Sequence, residues 1–168
     1  MLLATKLRLD RLGEKLVSQL SERIATTDTG QYLPRAEREK LAASVGYELT
    51  DTEFSIYGSE YLYTQETGRR PTVNNGDGAV RRYVLAYIRE EGIEPRGQDR
   101  NGMPIDEGTL AYFISRKLHE EGGKPWRNRQ HTGVISGVIN DKLIEQVEAL
   151  LTEAYTAEIA EYLLEATA

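Results

Sequence analysis

The chain has 168 residues, 39 % hydrophobic and 29 % charged, which suits one compact domain with its own core and excludes wholesale disorder. It has no cysteine, so disulfides, thiolate metal sites and cysteine nucleophiles are excluded together. The net charge of −6 sits entirely at one end: from residue 138 onward seven acids face Lys142 alone, whereas residues 1 to 137 balance at 20 acids and 20 bases. That split predicts an acidic face or a protruding helix on a neutral body.

Taken in chain order, TKLRLDRLGEKLVSQLSERIA sets Leu9, Leu12, Leu16, Leu20 and Ile24 at steps of three or four, the period of a one-sided helix. TTDTGQYLPRAEREK mixes turn formers with charges around Pro34 and reads as a connection with one short turn of helix. From Leu41 onward Val, Tyr, Phe, Ile and Thr dominate, with period-two alternation in Val45, Tyr47 and Leu49 and again in Phe54 and Ile56. The expectation is a hairpin turning at Thr50 to Thr52, then a bend at Gly58 and a third extended piece through Tyr61 and Tyr63.

Helical period returns after residue 78. Val80, Tyr83, Val84, Tyr87 and Ile88 form a stripe, with Asp77 expected as N-cap and Gly92 as the stop. Asp106 caps the next helix, whose Leu110, Phe113, Ile114 and Leu118 form a stripe ending at Gly122 and Gly123, and the two helices are expected to pair. GGKPWRNRQHTG reads as a glycine-broken linker into a last, long helix with an apolar face (Leu143, Ile144, Val147, Leu150, Leu151, Ala154, Ile159, Tyr162 and Leu163) opposite its glutamates. The predicted class is α+β: a small antiparallel sheet packed with several helices, with long N- and C-terminal helices, in a single domain over residues 1–168. No stretch approaches the roughly 20 apolar residues of a membrane helix, and the start lacks a secretory pattern. A role in a cytoplasm, or in an assembly built there, is therefore expected, with no membrane partner.

No catalytic constellation emerges. His119 is expected on a polar helix side beside Glu120 and Glu121, and His131 in a polar linker, so neither has helix-spaced metal partners. Glu90–Glu91 and Glu120–Glu121 read as solvated helix ends, and NNGDG matches neither phosphate-binding glycine pattern. The expectation is a non-enzyme without cofactor or metal. Basic residues cluster as Arg69, Arg70, Arg81 and Arg82, and as Lys124, Arg127 and Arg129 around Trp126, which keeps a DNA-associated adaptor as the alternative. A pI near 5.1 weighs against it. Among 10 tyrosines, Tyr57, Tyr61 and Tyr63 adjoin the arginine stretch and suggest an interface, while Tyr83 and Tyr87 on a helical stripe suggest core.

Residues 41 to 123, roughly half the chain, carry a family pattern. AASVGYELTDTEFSIYGSEYLYTQETGRRP, then VRRYVLAYIREEGI, then TLAYFISRKLHEEGGKP resemble the minor tail or tail-completion (head–tail neck) proteins of tailed bacteriophages. The matching positions are Tyr61, Tyr63, Glu66, Gly68, Arg69 and Pro71; then Tyr87, Ile88, Gly92 and Ile93; then Leu110, Ala111, Ile114, Arg116, Lys117, Leu118 and Gly122. The chain departs from the family in RNRQHTGVISGVIND, a longer and more polar link into the last helix.

The resemblance implies a structural virion protein of the neck or tail, forming a homo-oligomeric ring that joins or closes the tail at the head–tail connector. Its implied partners are copies of itself, neighbouring connector, tail-terminator or tail-tube proteins, and DNA that passes through a channel without sequence recognition. The subunit interface is expected at Tyr61, Tyr63, Glu66, Arg69, Arg70 and Trp126. Gly68 and Pro71 would hold the two arginines outward, toward acids of a neighbouring subunit such as those on the last helix.

Overall fold

In the computed structural model the described residues are 3–27, 29, 32–72, 78–98 and 101–166. Helix α1 (Leu3–Thr26) buries Leu9, Leu16, Leu20 and Ile24, the stripe its spacing predicts. The connection after it is more ordered than expected. Helix α2 (Arg35–Ala43) runs nine residues, because the Pro34 carbonyl accepts from Glu37 and Arg38 N–H at 3.0 Å each and Leu41 sinks into the same core as α1. Arg35–Glu39 and Lys40–Glu37 pairs occupy its outer side.

Strands β1 (Gly46–Leu49) and β2 (Phe54–Tyr57) form the only sheet among the described residues, antiparallel with Gly46 opposite Tyr57 and Leu49 opposite Phe54. Thr50 closes the predicted turn, its N–H donating to the Glu53 carbonyl at 2.8 Å and its hydroxyl accepting from Glu53 N–H. A lone two-stranded hairpin is marginal in water, and this one leans on α1. The Tyr47 hydroxyl donates to Asp10 at 2.7 Å, and the ring covers Gly13, where a side chain would collide with it.

The third extended piece does not exist. Tyr61 and Tyr63 belong to helix α3 (Tyr61–Thr67). Ser59 and Glu60 start that helix by accepting from Leu62 and Tyr63 N–H through their carbonyls, and its inner side buries Gln65 and Glu66. Four residues of alternating aromatics suit either period, and the buried glutamate decides for the helix.

Helices α4 (Ala79–Glu90) and α5 (Glu107–Glu121) pair as expected around Val84, Ile88, Ala111 and Leu118. Asp106 caps α5, its carboxylate accepting from Thr109 N–H at 2.7 Å. The expected Asp77 cap lies outside the described residues. The buried side of α5 is Ala111, Ser115, Leu118 and His119, turned from the predicted stripe so that Phe113 is exposed. Tyr83 likewise faces outward, whereas Tyr87 is half-buried with its ring edge-on to Tyr32 at 5.5 Å.

The expected linker contains a short helix, α6 (Lys124–Asn128), with Pro125 in its first turn. The last helix, α7 (Asp141–Ala166), packs beside α1, where Arg8 pairs with Glu153 at 2.8 Å and Ala154 is buried. Val134 and Val138 from the preceding turns complete the core shared by α1, α2 and the hairpin. The architecture is α+β, a small antiparallel sheet among helices with long helices at both ends.

Candidate interaction surface

The chain leaving α3 crosses the end of α5 at backbone contact, and two glycines permit it. Gly68 (φ 84°, ψ 152°) and Gly122 (φ 82°, ψ 177°) adopt a region essentially reserved for glycine. Gly123 N–H donates to the Arg69 carbonyl at 2.8 Å, and Thr72 N–H to the His119 carbonyl at 2.9 Å. A Cβ on Gly122 would stand 2.7 Å from the Arg69 carbonyl oxygen and 3.0 Å from Pro71 Cδ. The GRRP segment therefore lies flat on the junction of α5 and α6.

That crossing explains His119. It is buried rather than set on a polar surface, with Nδ1 2.5 Å from the Thr72 hydroxyl oxygen. Burial, and then the nearby Arg69 charge, push its pKa below the usual histidine value.

Glu66 is also buried, contrary to its expected place at a subunit interface. Ser136 Oγ donates to it at 2.5 Å, Ile135 N–H at 2.8 Å, Thr132 Oγ1 at 3.3 Å and Ser136 N–H at 3.4 Å. Burial alone would raise its pKa, but these donors together hold it below the usual carboxylate value. Its carboxylate is committed within the chain, fastening the polar link that follows α6. His131 stands at the rim, 3.6 Å from Glu66.

The two arginines part ways. Arg69 turns inward and lines a small cavity with Tyr32, Leu33, Tyr61, Tyr83 and Leu118, its buried Nε without a hydrogen-bond partner among the described residues. The expectation that both arginines face out therefore holds for Arg70 alone. Arg70 is exposed and lies over the Trp126 ring, 5.0 Å from its centroid. Arg81 has different neighbours again, the Tyr112 ring and the Gly108 carbonyl, so the sequence cluster of four arginines is not brought together.

A groove of about 720 Å³ opens beside Trp126, between α3 and α6. Tyr63, 62 % exposed, and Thr67 form one wall; Trp126, 37 % exposed, and Arg127 form the other; Arg129 to His131 close the end. Glu121 pairs with Arg127 at 2.7 Å and with Lys117 at 3.8 Å. Among the described residues no carboxylate pairs with Arg70 or Arg129. Of the six predicted interface residues, Tyr63 and Trp126 line this groove, and Arg70 lies over the Trp126 ring. Tyr61 instead lines a cavity of about 270 Å³ with Leu33, Leu41 and Tyr83. Thr67, Arg129 and His131 line the groove without standing out in the sequence; reading 61–67 as helix sets Thr67 one turn from Tyr63.

A second surface lies at the outer end of α7. Past Ala154 the helix exposes Tyr155, Ile159 and Tyr162, so the predicted apolar face is packed only along part of its length. Among the described residues no group of three or more His, Asp or Glu could hold a metal, and no helix is long and apolar enough to cross a membrane. Comparison of the chain with protein-family models, with curated proteins and with solved structures finds no match.

Proposed function

We propose that the chain is a structural virion protein of a tailed phage, a ring-forming neck or tail-completion component that joins or closes the tail at the head–tail connector. One observation carries the reading. The three segments that resemble that family form one interlocked unit, with Gly68, Arg69 and Pro71 lying on Gly122 at the end of α5 and α5 paired with α4. Next to this unit Tyr63 and Trp126 line one open groove and Arg70 lies over the Trp126 ring, and tyrosine, tryptophan and arginine are the side chains that anchor protein interfaces. Its partners in this reading are further copies of itself and adjacent connector, tail-terminator or tail-tube proteins. The acidic α7 suits a channel whose wall must not hold passing DNA.

Purified virions of a phage encoding the chain test this. Mass spectrometry should find the protein in fixed stoichiometry with the connector, and gold-labelled antibody should mark the neck or tail. Absence from mature particles would contradict it. The Arg70–Trp126 stack favours one other reading, a DNA-associated adaptor. Salt-sensitive binding of single-stranded DNA, lost in Arg70→Ala and Trp126→Ala, would support that instead.

A further inference from the structure

We infer that the small cavity beside Arg69 is a binding site for one monatomic anion of chloride size, held by the inward-turned guanidinium. The site stands apart from any role in a virion.

The GRRP segment carries Arg69 inward after α3, and its Nε–H is shut off from solvent with no hydrogen-bond partner among the described residues. The side chain lines a cavity of about 20 Å³. Leu33 in its wall belongs to the core built on α1 and α2, whereas Val84 and Leu118 belong to the α4–α5 core, so the charge stands at the seam of two apolar clusters. A cation withdrawn from water is costly unless an opposite charge stands against it. No carboxylate lines the cavity.

The surrounding groups sense that charge. It acts against the burial that raises the Tyr61 pKa, and it adds to the burial that lowers the pKa of His119. Glu37, which lines the neighbouring cavity with Tyr61, is paired with Lys40 at 2.7 Å.

Size and bonding then select the ligand. About 10–15 Å³ is the least that holds one water, so this cavity admits a single particle of that order and excludes sulfate, phosphate and carboxylates. A water must place its own two hydrogens on acceptors, whereas a halide needs only donors and positive surface. The walls are four aliphatic side chains, three tyrosines and a guanidinium that donates and cannot accept. The phenol hydroxyls can donate, and the ring edges of Tyr32, Tyr61 and Tyr83 carry positive charge.

Thermal unfolding of the full chain in sodium gluconate, with chloride replacing gluconate at constant ionic strength, tests the site. The wild-type midpoint should rise by about 3 °C once chloride reaches about five times its dissociation constant, and bromide should act likewise. Arg69→Met should show no such rise. A wild-type crystal grown in bromide should give an anomalous-scattering peak within hydrogen-bond distance of Arg69 Nε, a readout that does not depend on the variant folding.

A wild-type midpoint indifferent to chloride would overturn the proposal. An equal rise in Arg69→Met would do the same, as the mark of a general salt effect. A bromide peak without a response in solution would mean binding at crystal concentration only, and the proposal would fall. Density for a water at Nε, with no bromide there, would assign the cavity to a structural water instead.

Discussion

Gly122 and Arg69 meet at backbone distance: the Arg69 carbonyl lies 2.7 Å from where a Gly122 Cβ would stand, and the same oxygen accepts from Gly123 N–H at 2.8 Å. The crossing fixes GRRP on the α5–α6 junction and so sets the position of Arg70 over Trp126. Gly122→Ala should lose about 3 kcal/mol of stability, combining a backbone conformation closed to L side chains with a steric clash. Urea denaturation checks this, and a loss within about 0.5 kcal/mol, the scatter of an ordinary surface change, would contradict it.

Glu66 holds four donors from a segment 66 to 70 residues away. Glu66→Ala strands the Ile135 N–H and the Ser136 donors, whereas the Thr132 hydroxyl keeps the Gln65 carbonyl at 2.9 Å, and the change should cost about 3 kcal/mol, at the upper end for unsatisfied buried groups. Its lowered pKa has a defined sign. The unfolded chain binds the proton more readily, so the carboxylate stabilises the fold above its ordinary pKa of 4.5, and that stabilisation is lost as pH falls through the folded value. Acid unfolding curves of wild type and Glu66→Gln should converge as pH drops through this window.

His119 acts in a higher window. Its pKa in the fold is lowered from 6.5, so the native state keeps the ring neutral where the unfolded chain would protonate it. The stabilisation is present above pH 6.5 and is lost as pH falls from there through the folded pKa. Titration followed by the ring-proton NMR signals should place the His119 midpoint below 6.5. A midpoint above 6.5 would contradict the burial assigned to His119.

Arg69 places a guanidinium in a cavity with an unpartnered Nε. Replacing a poorly compensated buried charge by an apolar side chain of similar length is often neutral or stabilising. Arg69→Met should therefore change stability by no more than about 1 kcal/mol, with loss of structure confined to neither helix of the α4–α5 pair. A loss above about 2 kcal/mol in thermal unfolding would mean that the charge is well compensated within the fold.

The sequence made the long elements legible because their signals are local and repeated. The α1 stripe, the Thr50 turn and the Asp106 cap need only neighbours a few residues away, and each is present. Non-local features were hidden. Tyr61 and Tyr63 alternate like a strand over too few residues to separate the two periods, and a buried Glu66 inside that stretch has meaning only once Thr132 to Ser136 return to it. His119 sits among charged residues in sequence, and it is the GRRP segment, arriving from α3, that covers it. The groove was half legible. Tyr63 and Trp126 in the groove, and Arg70 over the Trp126 ring, stand out by aromatic and arginine content, whereas the inward turn of Arg69 follows from Gly68 and Gly122, whose conformations no periodicity reports.

The proposed role, joining or closing a phage tail at the connector, is open to one direct measurement: electron microscopy of the lysate of a phage from which the gene for this chain has been deleted. The deletion lysate should contain heads and tails in normal numbers but unjoined, or tails left unfinished at the connector end, with infectivity restored by supplying the protein in trans. Normal, infectious, joined particles from the deletion would contradict it.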